Sequence, residues 1–413
     1  METNFQHRKA SVQLRLVLED GTAAANRDVK LSQKKHQFLF GCGGFEAVEL
    51  AGGNPGGTEI DEARKTHIEE KLGKLFGFNN FATLPFYIGR YEPEEGKPDE
   101  ARLKAAARWF SERNVTTKGH PLCWHTVCAP WLMNYSNAEI LKKVIARIER
   151  DVCAFAGLIN IWDVINEVVI MPVFDKYDNA VTRICKEYGQ VRIVKEVFEA
   201  AKRANPNAAL LLNDFDTSKD YEILIDKCLQ EGIPIDAIGI QSHQHQGYWG
   251  AEKIRDVLAR FSRFGLPLHF TENTLISGDL MPPHIHDLND WKVKEWTTTP
   301  EGEERQEKEI IEMYEILFAH PKVEAITTWT GGDDNAWLRA PAGFLRVDNS
   351  EKPAYKALRA KIQNEWRTET TARSDGNGVV NLEGFKGGYE LSCMGKTAVF
   401  EMNGKDSRLD VVI

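Results

Sequence analysis

Between Phe38 and Trp366 one alternation recurs eight times, a short apolar run followed by a stretch of helical periodicity. This is the layout of a parallel sheet wrapped by helices, and eight units are what a closed barrel needs. The expectation is an α/β fold, a (β/α)8 TIM barrel. The strand candidates lie at 38–42, 78–84, 116–124, 160–167, 209–215, 237–243, 267–273 and 325–331. Helical patterns fall at 59–75, 98–113, 136–156, 179–204, 219–230, 251–264, 302–318 and 353–366. In the third of these, Ile140, Val144, Ile145 and Ile148 share one face, while Lys142, Lys143, Arg147 and Arg150 lie elsewhere, the pattern of an outer-ring helix. Ser136 followed by Glu139 predicts a capping box at its start.

The ends of the chain follow a different period. Val12, Leu14, Leu16 and Leu18 alternate up to a Glu19-Asp20-Gly21 turn, which predicts a β-hairpin. Beyond Arg367, strand candidates at 379–382, 389–392, 398–402 and 409–412 are separated by glycines. Two half-sheets too small to bury their own faces are expected to pair into one β-sandwich. The chain thus divides into 1–36, a hairpin segment of an accessory module; 37–366, the barrel; and 367–413, the remaining strands of that module. Phe385 and Tyr389 are candidates for stacking on carbohydrate there, against the alternative that the module covers the barrel's outer wall.

Composition narrows the function. The 413 residues carry 61 acidic against 52 basic side chains, a formal charge of −9, so no basic face is implied for nucleic acid or anionic lipid. No apolar run approaches the roughly 20 residues of a membrane span, and the opening residues lack a signal peptide's apolar stretch. The chain therefore reads as soluble, with export left open. Seven scattered cysteines without C-x-x-C spacing read as reduced, buried thiols.

Two acids stand out. Glu167 follows the run Asn160-Ile161-Trp162-Asp163-Val164-Ile165-Asn166, and Glu272 follows Pro267-Leu268-His269-Phe270-Thr271. In a barrel these are the ends of strands four and seven, which face the mouth where active sites form. A pair of carboxyls there is what glycoside hydrolysis requires: one protonates the leaving oxygen, the other attacks the anomeric carbon. His120, Trp124, His125 and Trp131, with Gln241, His243, His245, Trp329 and Trp337, surround them with rings and polar groups suited to a sugar.

The segments Lys118-Gly119-His120-Pro121-Leu122-Cys123-Trp124-His125, Trp162-Asp163-Val164-Ile165-Asn166-Glu167, Gln241-Ser242-His243 and Phe270-Thr271-Glu272 resemble, in order, the signatures of glycoside hydrolase family 10, the endo-β-1,4-xylanases. Lys352-Pro353-Ala354-Tyr355 resembles the family's entry to the last helix. The resemblance implies a retaining hydrolase of β-1,4-xylosidic bonds in xylan or xylo-oligosaccharides, with Glu167 as acid/base and Glu272 as nucleophile. It further implies sugar contacts from His125, Trp131, Asn166, Gln241, His243, Trp329 and Trp337, a polysaccharide or oligosaccharide partner, and neither cofactor nor metal. Asp163 is expected to orient its neighbours, His120 stands between site support and core, and His245 and Trp249 are unassigned.

Three stretches depart from the family pattern. Strand two ends Ala82-Thr83-Leu84-Pro85-Phe86-Tyr87 where a Thr-x-Glu-Asn segment and a nearby Lys-Trp pair would serve the second glycone sugar, which shifts attention to Tyr87 and Arg90. Asn273-Thr274 replaces a Leu-Asp pair after the nucleophile, and Thr330-Gly331-Gly332-Asp333-Asp334-Asn335 reads as a flexible, acidic loop. Other readings stay open: another β-glycan or small glycoside, a barrel that binds sugar without turnover, or a metal-dependent hydrolase using His243, His245, Asp214 and Asp216.

Overall fold

The computed structural model describes residues 5–55, 58–404 and 408–413; Met1–Asn4, part of the opening segment considered above, lie outside them. In chain order the strands are β1 (Lys9–Val17), β2 (Asp28–His36), β3 (Leu39–Gly43), β4 (Phe81–Pro85), β5 (Thr116–His120), β6 (Ile161–Asn166), β7 (Ala209–Asp214), β8 (Ala237–Gln244), β9 (Leu268–Leu275), β10 (Val323–Thr328), β11 (Glu369–Arg373), β12 (Val379–Phe385), β13 (Gly387–Cys393), β14 (Lys396–Met402) and β15 (Arg408–Val412). The helices are α1 (Glu46–Gly52), α2 (Glu62–Leu75), α3 (Ile88–Tyr91), α4 (Glu100–Ser111), α5 (Asn137–Ala154), α6 (Ala180–Tyr188), α7 (Gln190–Ala204), α8 (Lys219–Gln230), α9 (Gly250–Ser262), α10 (Pro300–Phe318) and α11 (Pro353–Ala360).

Strands β3 to β10 form a closed parallel barrel, β10 pairing with both β9 and β3. All eight sequence runs contribute to it, with their polar ends at one rim. The third run stops at His120 rather than Trp124, because Pro121 has no N–H to donate. Beyond it Leu122 and Cys123 donate to the Asp163 and Val164 carbonyls, so the chain stays beside β6. The helix expected over 179–204 is two helices. Gly189, at φ +84°, separates α6 from α7, a turn that periodicity alone does not register.

Helix α5 begins with the expected capping box, the Ser136 N–H donating to Glu139 Oε2 at 3.0 Å. Its Arg147 differs from expectation, since it is buried rather than solvent-facing. The guanidinium donates to the Leu122 and Phe86 carbonyls and to Asp151, satisfying backbone that leaves the barrel ladder. The acidic loop after β10 is also tied down. Fully buried Lys352 pairs with Asp333 at 2.7 Å, and Lys71 pairs with Asp334 at 2.7 Å.

The terminal segments make two sheets, β12-β1-β15 and β11-β2-β13-β14. Their apolar faces share one core that includes Leu14 and Leu16 of β1, Leu31 of β2 and Leu391 of β13. The expected hairpin is not formed. The turn exists, with Leu18 N–H donating to the Thr22 carbonyl, but the chain then crosses to the other sheet. Each arm has one apolar face, and opposing sheets bury both faces where edge-to-edge pairing would bury neither.

Phe385 and Tyr389 are buried, not displayed for a ligand: Tyr389 stacks on Phe400, and Phe385 packs on Phe318 and His36 at the barrel wall. Arg8 joins the same seam, donating to the carbonyls of Phe318, His320 and Val323. The cysteines are all free. Five are buried, Cys128 is half-buried, and Cys153 is exposed, contrary to the uniform burial expected. Among the described residues no helix is long and apolar enough to cross a membrane.

Candidate active site

The C-terminal rim of the barrel gathers Glu167 just past β6, Glu272 within β9, Gln241 and His243 in β8, His120 at the end of β5 and Asn213 in β7. Glu167 has φ +57°, a left-handed backbone that costs a non-glycine residue about 1–3 kcal/mol. Strand β7 holds it there. The Glu167 N–H donates to the Asn213 carbonyl at 2.8 Å, and Val169 N–H donates to Asp214 Oδ2 at 3.0 Å.

One chain of amide hydrogen bonds joins the two carboxyls. Gln241 Nε2 donates to Glu167 Oε1 at 3.2 Å and to Asn166 Oδ1 at 3.1 Å. Asn213 Nδ2 donates to that same Asn166 oxygen at 2.7 Å and to Glu272 Oε1 at 2.9 Å. Thr271 Oγ1 donates to Asn213 Oδ1 at 2.6 Å, fixing which way the amide faces. A Cβ at Gly239 would stand 2.3 Å from that oxygen, so β8 carries glycine where the Asn213 side chain crosses it.

The two carboxyls differ in surroundings. Burial, then the charge of Glu272, push the Glu167 carboxyl up to about 8, against the Trp124 indole N–H that donates to its Oε2 at 2.8 Å. Glu272 moves the other way. Burial opposes its charge, but His120, His243 and Lys118 together hold its carboxyl below the ordinary value. His243 Nε2 lies 3.1 Å from Glu272 Oε2, and an imidazole donating there accepts at Nδ1 from the Thr274 hydroxyl, 2.9 Å away. At neutral pH the first carboxyl is therefore protonated and the second ionised, the split that acid and nucleophile roles need.

His120 belongs to this site. Its Nδ1 is 2.7 Å from Asp163 Oδ2 and its Nε2 4.0 Å from Glu272, while Asp163 also pairs with buried Lys118 at 2.6 Å. Trp329 stands edge-on to His120 at 5.1 Å, and Trp337 lies 4.8 Å from His243. His125, which burial pulls down to about 4, packs on Phe174 and lies edge-on to Trp124 without touching either carboxyl. Trp131 donates to the Glu92 carbonyl, also away from them.

The arrangement speaks against a metal pair at His243 and His245. Both nitrogens of His243 are engaged, and His245 is packed between Trp337 and Trp296. Asp214, which burial raises to about 7, accepts backbone N–H groups of Val169 and Asp216. Sequence reasoning missed Asn213; its signal was the polar Asn213-Asp214 pair closing an apolar strand, the same cue that drew attention to Glu167.

The model of glycosyl hydrolase family 10 matches residues 87–361, two thirds of the chain. The chain belongs to glycosyl hydrolase family 10. Among curated family relatives, an endo-1,4-beta-xylanase/feruloyl esterase of Xylanibacter ruminicola is 24% identical over 303 residues, 64% of this chain and 39% of that protein. Endo-1,4-beta-xylanase A of Cellvibrio japonicus is 26% identical over 60% of this chain and 45% of its own length. A beta-1,4-xylanase of Dictyoglomus thermophilum is 29% identical over 68% of this chain and 78% of its own length. The chain thus spans less than half the length of the first two. In fold it is similar to xylanase 10B of Thermotoga maritima, with a TM-score of 0.63 at 20% identity over 80% of this chain and 96% of that one. The family match starts at Tyr87, so β3 and β4 lie before it.

Proposed function

We propose that this chain is a retaining glycoside hydrolase of β-1,4-xylosidic bonds in xylan or xylo-oligosaccharides. The observation that carries the reading is the placement of two carboxyls at the barrel rim, joined through Gln241, Asn166 and Asn213, in surroundings that raise Glu167 and lower Glu272. Family membership and the names of its relatives support the substrate class.

Glu167 gives its proton to the glycosidic oxygen as Glu272 attacks the anomeric carbon, so the leaving sugar departs with that proton and a glycosyl ester forms on Glu272. Esterification removes the negative charge of Glu272 that had raised Glu167, so Glu167 stays ionised after giving up its proton and now acts as base: its carboxylate takes a proton from water, the water oxygen attacks the anomeric carbon, and Glu272 leaves as carboxylate. Two displacements return the sugar with its original anomeric configuration. Asn166, Gln241 and His243, with Trp329 and Trp337 stacking, serve the sugar at the cleavage point, and His125 and Trp131 support that site from one layer out. Residues 37–366 carry the activity, and the segments 1–36 and 367–413 form the accessory module.

The test is product analysis after incubation with linear xylan, arabinoxylan, mixed-linkage glucan and aryl xylosides, with Glu272→Ala as blank. Short xylo-oligosaccharides from the wild type alone are expected. Products from the glucan in place of xylan would move the assignment to another β-glycan, and binding without products would make the barrel a sugar-binding protein.

A further inference from the structure

At the strand-two end of the mouth, polar ligands give way to rings. Tyr87 lies between Phe45 at 6.2 Å, His120 at 5.6 Å and Trp124 at 5.6 Å, and Phe45 stands edge-on to Trp329 at 5.4 Å. The Tyr87 side chain is buried, whereas Phe45, Trp124 and Trp329 are half-exposed. This wall joins the two carboxyls directly, through the Trp124 bond to Glu167 and the His120 approach to Glu272.

One charge stands over the wall. The Arg90 guanidinium is 5.7 Å from the Tyr87 ring centroid, exposed, and among the described residues has neither a carboxylate nor a carbonyl partner. Acids close by in the chain are already engaged: Glu92 by Arg150, Glu94 by Lys97 and Glu95 by Lys143. Arg90 is therefore a free cation held at the mouth of a protein whose formal charge is −9. A sugar hydroxyl takes single neutral-acceptor hydrogen bonds from such a group, while a carboxylate takes it as a bidentate, charge-assisted partner with roughly twice the strength per bond.

We infer that Arg90, above the Tyr87 ring, recognises a carboxylate-bearing sugar on the substrate, so that the chain prefers acidic β-1,4-linked oligosaccharides to neutral ones. This rests on the hydrolase reading and specifies its substrate. The sugar ring lies on the aromatic wall, and its carboxylate meets the guanidinium.

The experiment compares a xylo-oligosaccharide branched with glucuronic acid, one branched with arabinose as a neutral control of similar bulk, and the unbranched chain. For the wild type, the ratio of kcat/KM on the acidic over the neutral branched substrate is expected to exceed one and to fall as salt rises from about 20 mM to about 500 mM. Arg90→Ala is expected to lower that ratio by about tenfold or more, and Arg90→Lys to keep part of it, since the charge remains but the fork is lost. A ratio that Arg90→Ala leaves intact, or an equal loss on both substrates, overturns the inference. If the wild type cleaves none of the three, the hydrolase reading falls. Calorimetry then decides the charge reading: an acidic preference in affinity that Arg90→Ala abolishes upholds it, and equal affinities overturn it.

Discussion

Asn213 donates through one amide nitrogen to both Asn166, at 2.7 Å, and Glu272, at 2.9 Å, so a single side chain sets the spacing between the two halves of the site. Replacing it frees both. Asn213→Ala is expected to lower kcat by about 10- to 100-fold, the range for losing hydrogen bonds to a charged group, with a smaller change in KM. Steady-state kinetics on an aryl xyloside measure this, and an unchanged kcat would remove Asn213 from the machinery.

The raised Glu167 carboxyl fixes the alkaline limb of the pH profile. Its protonated form is the acid, so kcat is expected to fall as pH rises through about 8, and Glu167→Gln is expected to abolish that limb along with most activity on poor leaving groups. The same shift has a stability consequence. The folded state holds the proton more tightly than the unfolded chain does, so stability falls as pH climbs from the ordinary carboxyl range through about 8. Glu167→Gln is therefore expected to raise the melting temperature more at pH 9 than at pH 5, read by scanning calorimetry.

Thr274 offers a hydroxyl to the far nitrogen of His243. Thr274→Val removes it at nearly constant volume and leaves that nitrogen without its partner, which costs about 1–3 kcal/mol of orientation at a buried site. A fall in kcat of roughly tenfold is expected, with Thr274→Ser restoring most of it; rescue by Ser separates positioning from packing.

How much of this was legible from the sequence follows from what each pattern encodes. Apolar runs name barrel strands because both faces of a parallel sheet are buried, and all eight runs became strands. Period-two alternation in β1 names a buried face but not the partner at either edge, so the sequence points to opposed sheets made from the two ends of the chain but mistakes β1 and β2, which lie in different sheets, for a hairpin. The edge strand β11, Glu-Thr-Thr-Ala-Arg, is mostly exposed and carries no apolar signal at all. The acids and the imidazoles of the site were visible as polar residues closing apolar strands. Arg147 and Lys352 were not, because a buried cation looks in sequence like any surface one until the carbonyl or carboxylate it meets is known.

Lys352 tests the tethering of the Trp337 loop. Lys352→Met leaves the largely enclosed Asp333 carboxylate without its fully buried cation, a loss approaching the roughly 3–5 kcal/mol typical of broken buried pairs. A lower melting temperature and a raised KM are expected together, because Asp333 also accepts from Gly343 N–H and anchors the loop that carries Trp337. Calorimetry and kinetics on the same preparation check both.

Phe385 tests the accessory module. It is 5% exposed and packs 5.9 Å from Phe318 on the barrel. Phe385→Ala is expected to cost about 3–5 kcal/mol of stability while leaving the pH profile in place. Retention of full stability would show that the module does not brace the barrel.

The most direct measurement is the mass of the intact protein, followed by peptide mapping, after reaction with a 2-deoxy-2-fluoro-β-xylosyl fluoride. The fluorine slows both displacements while the fluoride leaving group speeds the first, so the glycosyl ester accumulates. One sugar adduct on the peptide containing Glu272, absent in Glu272→Ala, is the predicted result. An adduct on another carboxyl, or turnover of xylo-oligosaccharides with inverted products and no adduct, would contradict the assignment of Glu272 as nucleophile.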